Sequence, residues 1–185
     1  DKLVVETLLR LKRYDVSGNE KWKAAVGRHL QTIKGTPPYL DLVKAFGVTD
    51  AIPDLLELAI SSHAETIGVN AASVLLDFKQ SALLLNEING GDSTRALAIA
   101  GALSLSAHPA GYTILKPIVT DASSSRQIRS VAIRGVGTTK QGQQYLVDLL
   151  SAEQIPDELL FTTGTVLFGS SDPLIVKSAR EFITL

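Results

Sequence analysis

The residues of this chain best equipped for chemistry are three histidines, two close carboxylate pairs and two glycine-rich stretches. Ser61-Ser62-His63-Ala64-Glu65 offers a hydroxyl, an imidazole and a carboxylate in one run. A nucleophilic triad needs side chains that converge from separate elements, and contiguous residues at a helix start diverge. His63 is therefore read as a turn or first-turn residue. His29 and His108 lie on other segments, and no histidine has a second His, Asp or Glu at a metal-ligand spacing such as H-E-x-x-H. His108 directly precedes Pro109, which places it in an exposed turn. Gly135-Val136-Gly137-Thr138-Thr139-Lys140 has the composition of a phosphate loop but fits neither G-x-G-x-x-G nor G-x-x-x-x-G-K-[ST], and no strand precedes it. It reads as a helix end, and Asn89-Gly90-Gly91-Asp92-Ser93 reads as a turn. Asp157 and Glu158 sit at a helix N-terminus, where the dipole and free amides account for them. Asp54 and Glu57 fall one turn apart on an outer face. Neither pair has a reason to titrate abnormally, so no catalytic residue, metal site or cofactor is assigned.

The elements that carry these residues form a self-repeat. Breaks at Pro53 (in Asp50-Ala51-Ile52-Pro53), Lys79-Gln80, His108-Pro109, Lys140-Gln141 and Asp172-Pro173 each separate two apolar helical patterns. The breaks at 53, 80, 109, 141 and 173 are spaced by 27, 29, 32 and 32 residues, room for two helices and two turns. Regular helix pairs at this period predict an all-α chain, a right-handed α-α superhelix in which each unit buries its apolar side against its neighbours. The pattern predicts helices over 2–13 and from the N-cap Asn19 to about Lys34, then pairs at 38–47 with 51–61, 64–78 with 80–89, 92–106 with 109–120, 125–138 with 140–151, and 156–169 with 172–183. Leu3, Val4, Leu8 and Leu11 mark the apolar side of the first. Residues 1–185 read as one domain, with 1–36 an N-terminal helical cap and 37–185 about five helix pairs. The first helix of most pairs is rich in small residues, among them Gly68, Ala71 and Ala72, then Ala96 to Gly101, then Ala132, Gly135 and Gly164. Glycine inside a helix costs about 0.5–1 kcal/mol relative to alanine, and close approach of neighbouring helix backbones is the compensation to expect.

Composition narrows the function classes. The formal net charge of −1 argues against a protein devoted to gripping phosphate backbones, although residues 1–46 hold nine Lys or Arg against five acids, +4, which leaves −5 for the rest. Cysteine is absent, which removes disulfides, thiolate metal sites and covalent haem attachment from this stretch. Methionine is absent too, as expected of a processed chain or a piece of a longer protein. No run approaches 18 apolar residues, so no membrane insertion is expected. Trp22 with Lys21, Lys23 and Arg28 could make an aromatic-plus-basic contact, but a packing role under an amphipathic helix is the plainer reading. Arg126, Arg129 and Arg134 are spaced too unevenly to form one tight patch.

Residues 92–121, 126–150 and 157–182, each a helix, a tight turn and a second helix, resemble the HEAT-like (armadillo-like) repeat family. Ser130 to Leu150, with Ile155-Pro156-Asp157-Glu158-Leu159 and Ser170-Ser171-Asp172-Pro173, is similar to the HEAT-like segment of large planctomycete-type bacterial proteins. There such a segment lies between a β-propeller dehydrogenase-like domain and a C-terminal cytochrome c domain. The resemblance implies a scaffold that holds flanking domains in fixed relation outside the cytoplasm. The Asp/Arg ladder common in HEAT repeats is sparse here, and neither a propeller nor a haem motif is present in the chain.

Seven residues past the last four breaks stand Glu87, Lys116, Asp148 and Arg180, alternating in sign on four successive second helices, with Tyr112 and Gln144 one turn away. Stacked helices lie about 8–10 Å apart, so long side chains could bridge them. In HEAT-like solenoids the second helices commonly line the concave face, which makes Glu87, Tyr112, Lys116, Gln144, Asp148 and Arg180 the expected binding ridge. The plain alternative is a solvated stripe of ion pairs worth about 0–1 kcal/mol each. The expected function is a non-catalytic protein–protein interaction or spacer module. Its partner would be another protein or flanking domains of the same polypeptide, not nucleic acid. The rivals, a HEAT-like DNA glycosylase and a bilin-lyase-like enzyme, would need a basic aromatic groove or a tetrapyrrole.

Overall fold

The computed structural model describes residues 1–184. Its twelve α-helices are α1 (Lys2–Arg10), α2 (Glu20–Thr32), α3 (Pro37–Phe46), α4 (Ile52–Ser61), α5 (Thr66–Asp77), α6 (Ser81–Asn89), α7 (Ser93–Leu105), α8 (Pro109–Ile118), α9 (Arg126–Val136), α10 (Lys140–Ser151), α11 (Asp157–Phe168) and α12 (Pro173–Phe182), with a 3-10 turn at Thr49–Ala51 before α4. No strand occurs among the described residues, so the chain is all-α. None of these helices is long and apolar enough to cross a membrane.

Local chemistry sets the helix starts. Asn19 Oδ1 accepts the Trp22 amide at 3.1 Å, Asp92 Oδ1 those of Thr94 and Arg95 at 3.0 and 3.1 Å, and Ser125 Oγ that of Ile128 at 3.3 Å. Thr139 Oγ1 accepts from Gly142 and Asp172 Oδ1 from Leu174, both at 3.0 Å. Each bond satisfies an amide that the first helical turn would otherwise leave unpaired. Proline occupies the first or second position of α3, α4, α8 and α12, where its missing N–H removes nothing.

The chain divides into two compact units, Asp1–Lys79 and the residues from Gln80 onward. The boundary falls between α5 and α6, inside the pair expected at 64–78 with 80–89. In the first unit α1 packs on α2, α2 on α3, α3 on α5 and α4 on α5. The helix expected over 2–13 stops at Arg10. Lys12 turns left-handed at φ 52°, and the amide of Arg13 reaches back to the Leu8 carbonyl at 2.9 Å. With the helix shortened, its buried stripe is Val5 and Leu8, while Leu3 and Leu11 of the expected apolar side face outward, 75 % and 60 % exposed.

In the second unit every helix packs on its chain neighbour, and α7, α9 and α11 also pack on one another in succession. The small residues make this possible. Ala98, Ala100, Ala132 and Gly135 are buried, and a Cβ added to Gly135 would lie 2.8 Å from the Ser104 Cα of α7 and 2.6 Å from Leu115 Cδ1 of α8. Of the alternate helices, α6 packs on α8 and α10 on α12, but α8 and α10 have no comparable backbone approach among the described residues. Polar groups tie consecutive turns: Gln143 donates to the Gly137 carbonyl at 3.0 Å and accepts from Ser170 Oγ at 2.6 Å.

Two substitutions test these constraints by urea or thermal unfolding. Gly135→Ala should destabilise by about 1–3 kcal/mol, because its methyl would meet the α7 backbone at Ser104 as well as the Leu115 tip, and only the tip can swing aside. Glu153 holds a left-handed φ of 55° in the bend after α10, so Glu153→Gly should stabilise by a net of about 0.5–1 kcal/mol.

Candidate functional site

Because α8 and α10 stand apart, long side chains fill the interval between them. Tyr112 and Lys116 from α8, and Lys140, Gln141, Gln144, Tyr145 and Asp148 from α10, line an open groove of about 580 Å³. Its centre is aromatic and cationic. The Lys116 ammonium lies 4.5 Å from the Tyr145 ring centroid and 6.0 Å from that of Tyr112, within the range in which a ring face attracts a cation. The Tyr112 hydroxyl is buried and has no hydrogen-bond partner. Burial pushes the Tyr145 phenol up from its ordinary value, partly offset by a hydrogen bond with Thr120. The Tyr145 phenol is therefore neutral at physiological pH.

The structure brings together four of the six residues expected on the ridge: Tyr112, Lys116, Gln144 and Asp148. It does not join all six. Glu87 is half-buried and takes Arg95 Nε at 2.8 Å, a partner on the following helix rather than on α8. Arg180 is exposed on α12. The alternating charges do not form a ladder: among the described residues Lys116, Asp148 and Arg180 make no ion pair with one another. Lys116 stacks on tyrosine instead, and Asp148 accepts from Gln144 Nε2 at 2.9 Å within its own helix. The reason is the spacing of α8 and α10, which sets tyrosine rings where the opposite charge was expected.

Sequence reasoning missed Tyr145, Lys140 and Gln141. Gln141 and Tyr145, like Gln144 and Asp148, are four apart on one helix, so adjacent ridges of α10 present one broad face. That spacing was available as a signal. Lys140 closes the rim through a 2.7 Å ion pair to Asp172, the N-cap of α12.

The other candidates resolve into structural roles. His63 is an exposed turn residue with Nδ1 3.1 Å from the Ile60 carbonyl. His108 is half-buried rather than exposed, because its Nδ1 caps α8 by accepting the Ala110 amide at 3.1 Å. Gly137 ends α9 and Thr139 opens α10, so the glycine-rich stretch is a helix junction. Asp157 and Glu158 fall in the first turn of α11. Half-buried Trp22 carries the Arg13 guanidinium 5.8 Å from its ring centroid, and Arg28 pairs with Asp1 at 2.8 Å. Arg129 is buried and donates Nε to the Val119 carbonyl at 3.1 Å, closing the end of α8. Asp54 is not an isolated outer-face carboxylate: it takes the Lys34 ammonium at 2.6 Å and faces the Tyr39 hydroxyl at 3.5 Å.

No protein-family model, curated protein or solved structure matches the chain.

The Lys140–Asp172 pair gives a pH prediction. The side-chain bond from Lys140, then the Leu174 amide, holds the Asp172 carboxyl below its ordinary 3.8. A lowered folded-state value contributes stability that is complete above 3.8 and is lost as pH falls below it. Asp172→Asn keeps a good N-cap but removes the charge. Unfolding curves should show the wild type more stable than this variant at neutral pH, with the difference vanishing in acid.

Proposed function

We propose that the chain is a HEAT-like, right-handed α-solenoid module without catalytic activity. It binds a protein, either a separate partner or a flanking domain of the same polypeptide, through the α8/α10 groove. The observation that carries this reading is the convergence of Tyr112, Lys116, Gln144 and Asp148 with Tyr145 on one open surface. The helix-pair period and the succession α7, α9, α11 support the solenoid part. Tyrosine is enriched at interfaces because it supplies large contact area with a polar tip and little rotamer entropy to lose. With no charge ladder formed, Lys116 and Asp148 keep their charges for a partner rather than for each other. Together they would recognise a mixed surface with an acceptor opposite Lys116 and a donor opposite Asp148.

Site-specific photo-crosslinking tests the proposal. A benzophenone residue at Gln144 should give a discrete adduct in the host lysate, lost with Lys116→Glu or Tyr145→Ala. The same probe at exposed Phe161 of α11 should give none. Equal labelling from both positions, or none from Gln144, refutes it.

A further inference from the structure

The first unit holds a cavity that this reading does not use. It measures about 610 Å³ and lies between the Asp15–Ser17 turn, α2, the end of α3 and the 3-10 turn into α4. That volume falls in the range of small-molecule sites, about 300–1,000 Å³. Buried Val16, Val26, Leu30, Phe46 and Ala51 form an apolar wall. The polar lining is unequal in charge: Asp15, Glu20, Asp50 and Asp54 stand against Lys23 alone. Asp15 is engaged by its own turn, accepting the Ser17 amide at 3.0 Å and hydroxyl at 2.6 Å. Glu20 and Asp50 have no ion-pair partner among the described residues.

Asp54 shows what this wall accepts. Its Oδ1 takes the Lys34 ammonium at 2.6 Å, while Oδ2 has only the Tyr39 hydroxyl at 3.5 Å, a long contact that leaves acceptor capacity. Tyr39 is 1 % exposed and can only donate here. Burial first, and then the Asp54 charge, push its phenol up to about 12. An anion would meet three unneutralised carboxylates. A hard metal ion needs six or more oxygen ligands, and no group of three or more candidate ligands occurs among the described residues. An organic cation satisfies both halves of the lining.

We propose that this cavity binds a small organic ammonium, with its charged head between Asp50 and Asp54 and its apolar body against Val26, Leu30 and Phe46. The site belongs to the first unit alone and stands or falls separately from the α8/α10 groove.

The test is a protein-observed NMR titration of the full chain with benzylammonium, phenethylammonium and tryptammonium, each beside its neutral alcohol. Saturable shifts should appear at Leu30, Gly47 and Val48, with the alcohols binding about tenfold more weakly, the equivalent of about 1.4 kcal/mol. Asp54→Asn removes an internal ion pair and can disturb folding, so the deciding variant is Asp50→Asn, on the exposed 3-10 turn. It should weaken the amines about threefold to tenfold and leave the alcohols unchanged. Absence of saturable shifts at the cavity residues, equal binding of amine and alcohol, or an unaltered Asp50→Asn affinity overturns the proposal. Tighter binding of Nα-acetyl-lysine amide than of every aromatic amine would assign the site to a partner's side chain, and overturns it too.

Discussion

The approach of α9 to α7 governs the second unit, and it depends on what Gly135 lacks. Where a methyl group would stand, the Ser104 Cα of α7 and the Leu115 tip of α8 already sit. Glycine inside a helix gives up about 0.5–1 kcal/mol of backbone entropy relative to alanine. Burial offsets this, because Ala98 and Ala100 of α7 and Ala132, Ile133 and Val136 of α9 lose nearly all their water in the packed unit. Three helices drawn together on one side leave their alternates less constrained on the other. The interval between α8 and α10 follows from that inequality, and the groove is the interval filled with long side chains.

That inequality also decides the electrostatics. An exposed ion pair is worth about 0–1 kcal/mol, too little to pull α8 and α10 together against the packing of α7 and α9. Lys116 instead lays its ammonium over the Tyr145 ring, and Asp148 bonds along its own helix to Gln144. Charges at equivalent repeat positions therefore do not meet simply because the repeat aligns them. Glu87 shows the same rule, since Arg95 lies nearer than Lys116 and takes the carboxylate.

In the first unit a parallel compromise surrounds Asp54. Tyr39 is buried among apolar neighbours with its hydroxyl toward a carboxylate that is itself tied to Lys34. The turn after α2, which carries Lys34, and the helices α3 and α4 thus share one polar cluster beside an apolar wall. Such clusters hold their geometry because an unpaired buried polar atom costs about 1–3 kcal/mol.

The sequence by itself determined where the helices are. All twelve were legible, since Asn19, Asp92, Ser125 and Asp172 cap through their own side chains and the prolines act on their immediate neighbours. It also marked Tyr112, Lys116, Gln144 and Asp148, because register along a helix is a property of the chain. The end of α1 was misplaced because Lys12, an ordinary residue, adopts a conformation that glycine usually signals. Tertiary structure alone decided that α8 and α10 stand apart, that Tyr145 rather than an acid meets Lys116, that Arg129 is buried against the end of α8, and that Asp54 joins Lys34 and Tyr39. These outcomes rest on distances between segments far apart in the chain. Close packing fixes such distances collectively, and no local pattern encodes them.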